Sequence, residues 1–213
     1  VTADRTEHLV NTGPVARVPN LAIHLYRGDM PEIDRQVHTQ PILGVDRPLL
    51  ELAAESAGLS AEDIVAHELI TADAQRGEVI GDLLAAGRLD NLTSVWASLE
   101  AMLAAKDEAK DILVLAAFNH EEVGSASTAG AGGPLLERVL TKVAQGFGDP
   151  AEIIAGSIQV SADAAHAVHP NYPGKHDPTH HPLVNKGPVL KINANQRYAS
   201  NAATETEWIL ACR

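Results

Sequence analysis

The feature that most constrains the fold is a continuous apolar run, Ile112 to Phe118, set between two segments of helical periodicity. An unbroken run of that length reads as a strand buried on both faces, the pattern of a parallel sheet covered by helices. Upstream, Asp90 to Ala105 carries Leu92, Val95, Trp96, Leu99, Met102 and Leu103 at helical spacing, so one face is expected to be buried. Downstream, Pro134 opens a helix from Leu135 to Gln145 with Leu136, Val139, Leu140 and Val143 on one side. A short helix from Ala151 to Ala155 leads toward a strand at Ser157 to Ser161, and Val189 to Ile192 reads as another. Strand alternating with helix predicts an α/β fold, a layered helix/sheet/helix domain over residues 82–213.

Residues 1–81 follow a different pattern. Leu21 to Leu25 reads as a short strand among the breakers Gly28, Pro31, Pro41, Gly44 and Pro48. Leu49 to Ala57 reads as a helix, Ser60 with Asp63 supplies a capping pair for a second, and strand character returns at Glu68 to Ala72. A smaller, β-rich domain is expected there.

Charge and cysteine content narrow the function. A formal net charge of −12 opposes binding to nucleic-acid phosphates, which needs clustered Lys and Arg. No apolar stretch reaches the ~20 residues a membrane helix requires, and the start lacks a basic-then-apolar leader, so a soluble protein with no membrane partner is expected. Cys212 is the only cysteine, which excludes an internal disulfide and a thiolate metal site and fits a reducing, cytoplasmic setting. Any metal must be held by oxygen and imidazole. The chain lacks an initiator Met, and the helical character of Thr204 to Arg213 stops abruptly, so part of a longer chain is expected.

The chemistry concentrates at loop junctions. Glu121 and Glu122 directly follow the apolar run, where ligands gather in open α/β sheets. Neighbours on an extended segment point apart, so one glutamate can bind metal while the other handles a proton. Asp90 and Asp163 occupy similar junctions. Convergent carboxylates repel unless a cation neutralises them, and an imidazole-rich segment holding His166, His169, His176, His180 and His181 follows Asp163. Carboxylate with imidazole suits Zn, Mn or Co. The alternatives are solvated loop acids, surface imidazoles, or a single structural metal on Asp163 and the following histidines. No His-Glu-x-x-His helix is present. The small-residue loop Gly124 to Gly133 has no following Lys and fails as a phosphate loop; its residues are expected to permit close packing or to leave room for a substrate backbone.

Four ordered motifs carry a family resemblance: Gly87-Arg88-Leu89-Asp90-Asn91, His120-Glu121-Glu122-Val123-Gly124-Ser125, Ser161-Ala162-Asp163-Ala164-Ala165-His166-Ala167-Val168-His169-Pro170-Asn171-Tyr172, and Gly187-Pro188-Val189-Leu190-Lys191 through Asn195-Gln196-Arg197-Tyr198-Ala199. Together with Val18 to Leu25 they resemble the aspartyl aminopeptidases, metallopeptidases with two co-catalytic zinc ions. The resemblance implies that Asp90 bridges the metals, Glu122 binds one, Asp163 binds the other, and Glu121 is the general base. It implies that Lys191 recognises an acidic substrate side chain, that His166 and Tyr198 line the site, and that His24 reaches into a neighbouring subunit. It also implies a cis peptide at Asp90–Asn91, peptide substrates with an acidic N-terminus, and a homodimer that assembles further into dodecamers.

Two departures qualify that picture. Asn119 stands where the family usually has Asp, and the family's His-Thr-Asp motif and C-terminal histidine, which supply two metal ligands, are not present in this chain. Residues 1–81 then correspond to part of a dimerisation domain and 82–213 to part of a catalytic domain. The rival expectation is a truncated, non-catalytic relative retaining an oligomerisation or partner-binding role.

Overall fold

Apart from an isolated antiparallel bridge between Thr2 and Ile64, the paired β structure lies in two short antiparallel ribbons. Strand β1 (Ala16–Arg17) pairs with β2 (Ile42–Leu43), and β3 (Glu78–Ile80) pairs with β4 (Leu83–Ala85). The second ribbon turns through Gly81 and Asp82, and Gly81 takes a φ of +61°, a left-handed conformation open to glycine at little cost. This computed structural model describes residues 1–213, which divide into two compact units, Val1–Gly87 and Arg88–Arg213. Both ribbons belong to the first.

Helix α1 (Leu49–Ala57) forms where its apolar spacing predicts and buries Ala53 and Ala54. It ends at Gly58, whose φ of 69° lets its N–H reach the Glu55 carbonyl at 3.0 Å while the Leu59 N–H reaches Ala54 at 2.9 Å. The capping pair also forms, the Ser60 N–H donating to Asp63 Oδ2 at 3.0 Å over a 3-10 turn, Ala61–Asp63. The expected strand at Leu21 to Leu25 does not. Ile23–Leu25 is a 3-10 turn with Ile23 and Leu25 exposed, and Glu68 to Ala72 has no ladder partner.

The second unit holds helices α2 (Leu89–Ala105), α3 (Leu135–Ala144), α4 (Pro150–Ala155) and α5 (Ala202–Ala211). Each later start has a local cause. Asp149 accepts from the Ala151 N–H at 3.2 Å ahead of Pro150, and Asn201 Oδ1 accepts from the Ala203 and Thr204 amides at 3.0 and 3.1 Å. Helices α3 and α4 pack together, and Ala144 is buried. At the head of α2, Asp90 and Asn91 leave helical geometry and their peptide bond is cis.

The expected helix/sheet/helix layering is not formed within these residues. Ile112 to Phe118, Ser157 to Ser161 and Val189 to Ile192 carry no ladder pairing. A strand exists only through its neighbours, so an apolar run without an adjacent backbone at pairing distance stays an isolated segment. Burial follows suit: Ile158 is 76% exposed, Val160 63% and Ile192 62%. The apolar faces that periodicity identifies are real, and most of them lie open.

Candidate metal centre

Two backbone devices set up the acidic residues. Asp90 sits at the break in α2, held there because Asn91 Nδ2 donates to the Ala162 carbonyl at 2.7 Å, across 71 residues of sequence. That bond ties the Asp90 segment to the residue before Asp163. Glu121 and Glu122 open a 3-10 turn, Glu121–Val123, entered through His120 at φ 59° and closed by Gly124 at φ 103°. The Ser125 N–H donates to the His120 carbonyl at 2.8 Å and completes the loop. His120 Nδ1 lies 2.9 Å from Asn119 Oδ1 and 3.0 Å from Ser127 Oγ, so the residue that departs from the family pattern engages the imidazole beside the glutamates.

The glycines downstream are used for close approach. A Cβ added at Gly130 would collide with the Ser125 carbonyl, and one at Gly133 with the Ser127 carbonyl. The loop folds on itself as expected from its small residues.

These segments, with Lys191 and Tyr198, frame one open pocket of about 490 Å³ lined by Asp90, Glu121, Glu122, Asp163, His166, Lys191 and Tyr198, with Pro182 and Val189 at its apolar side. Seven of the eight residues singled out from sequence therefore share one site. The eighth, His24, lies in the first unit, in the turn Ile23–Leu25. His169, His176, His180 and His181 do not line the pocket. Their loop is tied locally: the His169 N–H donates to His176 Nε2 at 3.3 Å, the Asn171 N–H to His169 Nδ1 at 3.1 Å, and the His169 ring meets Tyr172 at a tilt of 58° with centroids 5.0 Å apart.

One cation already sits among the acids. Lys191 Nζ donates to Asp163 Oδ2 at 2.8 Å and stands 5.7 Å from the Tyr198 ring centroid. The hydrogen bond from Lys191 holds the Asp163 carboxyl below the usual carboxylate range, and the same bond raises the Lys191 ammonium. Asp90 adds to both effects.

The pocket's residues fit zinc as a donor set, since carboxylates and an imidazole face one space and Asn91 Oδ1, next to Asp90, is a buried acceptor with no partner. They are not drawn into a ready-made shell, because no three His, Asp or Glu side chains are gathered closely enough to hold one ion. The family motif marks Asn91 for the cis peptide that the structure has, but not for its bond to Ala162, and it pairs Lys191 with substrate, not with Asp163. An Asn directly after a candidate ligand is the one signal that would have pointed to the tie with Ala162.

Comparison with known proteins covers nearly the whole chain. Residues 2–209 match the family model of the aminopeptidase I zinc metalloproteases, M18. A probable M18 family aminopeptidase 2 of Streptomyces avermitilis is 42% identical, over 98% of this chain and 53% of its own length. The crystal structure of yeast aminopeptidase 1 superposes with a TM-score of 0.72 at 27% identity, covering 91% of this chain and 47% of the other. An mApe1 dodecamer of S. cerevisiae gives 0.63 at 25% identity, over 81% of this chain and 42% of its own. The chain thus spans about half the length of the curated relatives it matches. No helix is long and apolar enough to cross a membrane.

Proposed function

We propose a function from one premise: this chain belongs to the aminopeptidase I zinc metalloprotease family, M18. Its second unit carries the acidic half of a zinc aminopeptidase active site that removes N-terminal Asp or Glu from peptides. The observation that carries this reading is the shared pocket of Asp90, Glu121, Glu122, Asp163, His166, Lys191 and Tyr198, drawn from four separate stretches of chain.

Asp90 would bridge two zinc ions, with Glu122 on one and Asp163 on the other. When bound, zinc supplies Lewis-acid polarisation of the scissile carbonyl and lowers the pKa of water. Glu121 accepts the proton of the attacking water on its carboxylate and returns it to the leaving amine. His166 and Tyr198 line the space for the N-terminal residue. Lys191 offers its ammonium to an acidic side chain through a charge-assisted hydrogen bond, which gives the site its preference. The first unit serves dimerisation, and His24 reaches the partner's site. Assembly beyond the dimer is supported by the dodecameric relative, and a cytoplasmic setting by the single cysteine.

A second reading has its own support. No three ligands are gathered for one ion, and apolar surface is extensively exposed, which favours a non-catalytic relative that binds partners or oligomerises. One experiment separates the two. The full-length protein is stripped of metal, titrated with zinc by calorimetry and assayed on peptides beginning with Asp, Glu or Ala. Two zinc ions per chain and cleavage of the acidic peptides alone support the peptidase; absent zinc binding and absent cleavage leave the second reading standing.

A further inference from the structure

The turn that carries the glutamates has a side-chain brace outside the pocket. His120 enters the turn at φ 59°, a left-handed conformation, and its ring Nδ1 lies 2.9 Å from Asn119 Oδ1 and 3.0 Å from Ser127 Oγ. An amide oxygen only accepts, so the ring proton sits on Nδ1 and the Ser127 hydroxyl shares it. One imidazole thereby joins the chain before Glu121 and Glu122 to the chain after them, across seven residues.

Ser127 is seated in turn by the glycines that follow it. The Gly130 N–H donates to the Ser127 carbonyl at 3.2 Å, a Cβ at Gly130 would press on Ser127 Oγ at 3.0 Å, and one at Gly133 would collide with the Ser127 carbonyl. The Gly124 and Ser125 amides close the turn from within, on the Glu121 and His120 carbonyls at 2.9 and 2.8 Å. Those backbone bonds shape the turn. The His120 ring ties the shaped turn to the small-residue loop.

We propose that His120 is a positioning residue for Glu121, clamping the mouth of the turn between Asn119 and Ser127, with the loop Gly124 to Gly133 supplying the seat for the far end of the clamp. The inference rests on the peptidase reading of the pocket. Left-handed geometry at a residue with a side chain persists where its surroundings over-determine it, and the clamp adds the side-chain part of that constraint. A base displaced by a fraction of an ångström loses its alignment with the proton it must take. Asn119 contributes only an acceptor oxygen to the clamp, so an amide serves where the family usually has Asp.

The test is a double-mutant cycle on full-length, zinc-loaded protein, read as kcat and KM on a peptide beginning with Asp. Ser127→Ala, His120→Phe and Asn119→Leu should each lower kcat about tenfold while KM and zinc stoichiometry stay within about twofold of wild type, because the clamp aligns the base from outside the pocket. The double variant His120→Phe with Ser127→Ala should be no slower than His120→Phe alone, since both changes break one contact. Asn119→Asp keeps an acceptor for Nδ1 and should hold kcat within about twofold of wild type. Unchanged kcat in Ser127→Ala and His120→Phe, or losses that multiply in the double variant, overturns the clamp and leaves the peptidase reading intact on wild-type cleavage. Lost zinc or a KM raised as far as kcat falls overturns the positioning role, because the whole turn has then come apart. Absent cleavage by zinc-loaded wild type overturns the peptidase reading and the inference with it.

Discussion

Two regions of the second unit are rich in metal-binding residue types, and they behave differently. The pocket around Asp90 and Asp163 is held by contacts across long stretches of chain, Asn91 to Ala162 over 71 residues and Lys191 to Asp163 over 28. The loop from His169 to His181 is closed at its base by the Val168 N–H donating to the Pro182 carbonyl at 3.0 Å, and inside it the side-chain contacts span seven residues or fewer, such as His169 with His176 and Asp177 with the His180 and Thr179 amides. Density of ligands along the sequence marks the loop. Convergence in space marks the pocket, and a site needs convergence.

The sharpest way to break that contrast is to remove the proposed proton carrier. Glu121→Gln keeps shape and removes the base, so turnover on an N-terminal Asp peptide should fall ~10²–10⁴-fold with zinc stoichiometry unchanged. Retained turnover would show that the convergent acids do not do the chemistry. Lys191→Ala should raise KM for acidic peptides about 10–100-fold, the scale of a hydrogen bond to a charged group, with little change for a neutral peptide. Equal losses on both substrates would count against a role in specificity. Steady-state kinetics on paired Asp and Ala substrates decides it.

Asn91→Ala tests the long-range tie itself. Without the donor to the Ala162 carbonyl, the Asp90 and Asp163 segments lose their link, and zinc affinity by chelator competition should weaken about tenfold, as removing an outer-shell support does. Unchanged affinity would mean that the two segments are placed by something other than this bond.

The contrast also explains what could be seen in the sequence. The helices from Leu49, Asp90, Leu135 and Ala151 were legible because periodicity and caps are local properties, and the structure forms each of them. The runs at Ile112, Ser157 and Val189 have the apolar content of strands, but pairing depends on a neighbouring backbone that no local pattern supplies. In the site, the residue types came from motif order. The Lys191 contact with Asp163 did not, because opposite charges 28 residues apart meet only through the path of the loop between them. The histidines after His166 show the complementary case: imidazoles crowded in sequence are taken up by nearby backbone groups and by Asp177.

The smallest effect should come from the loop. Asp177 accepts from the Thr179 and His180 amides at 2.8 and 2.6 Å, and the His180 amide bond, followed by that of Thr179, holds its carboxyl below the ordinary range. A carboxyl lowered by folding stabilises its turn above the unfolded value of ~3.9, and that contribution is lost as pH falls through the lower folded value. The Thr179 and His180 amide resonances should therefore shift below about pH 4, and Asp177→Ala should abolish the shift. The same substitution, or His180→Ala, should leave zinc affinity within about twofold of wild type, since neither residue faces the pocket. A weakening as large as that expected for Asn91→Ala would bring the loop into the metal site and erase the difference between the two regions.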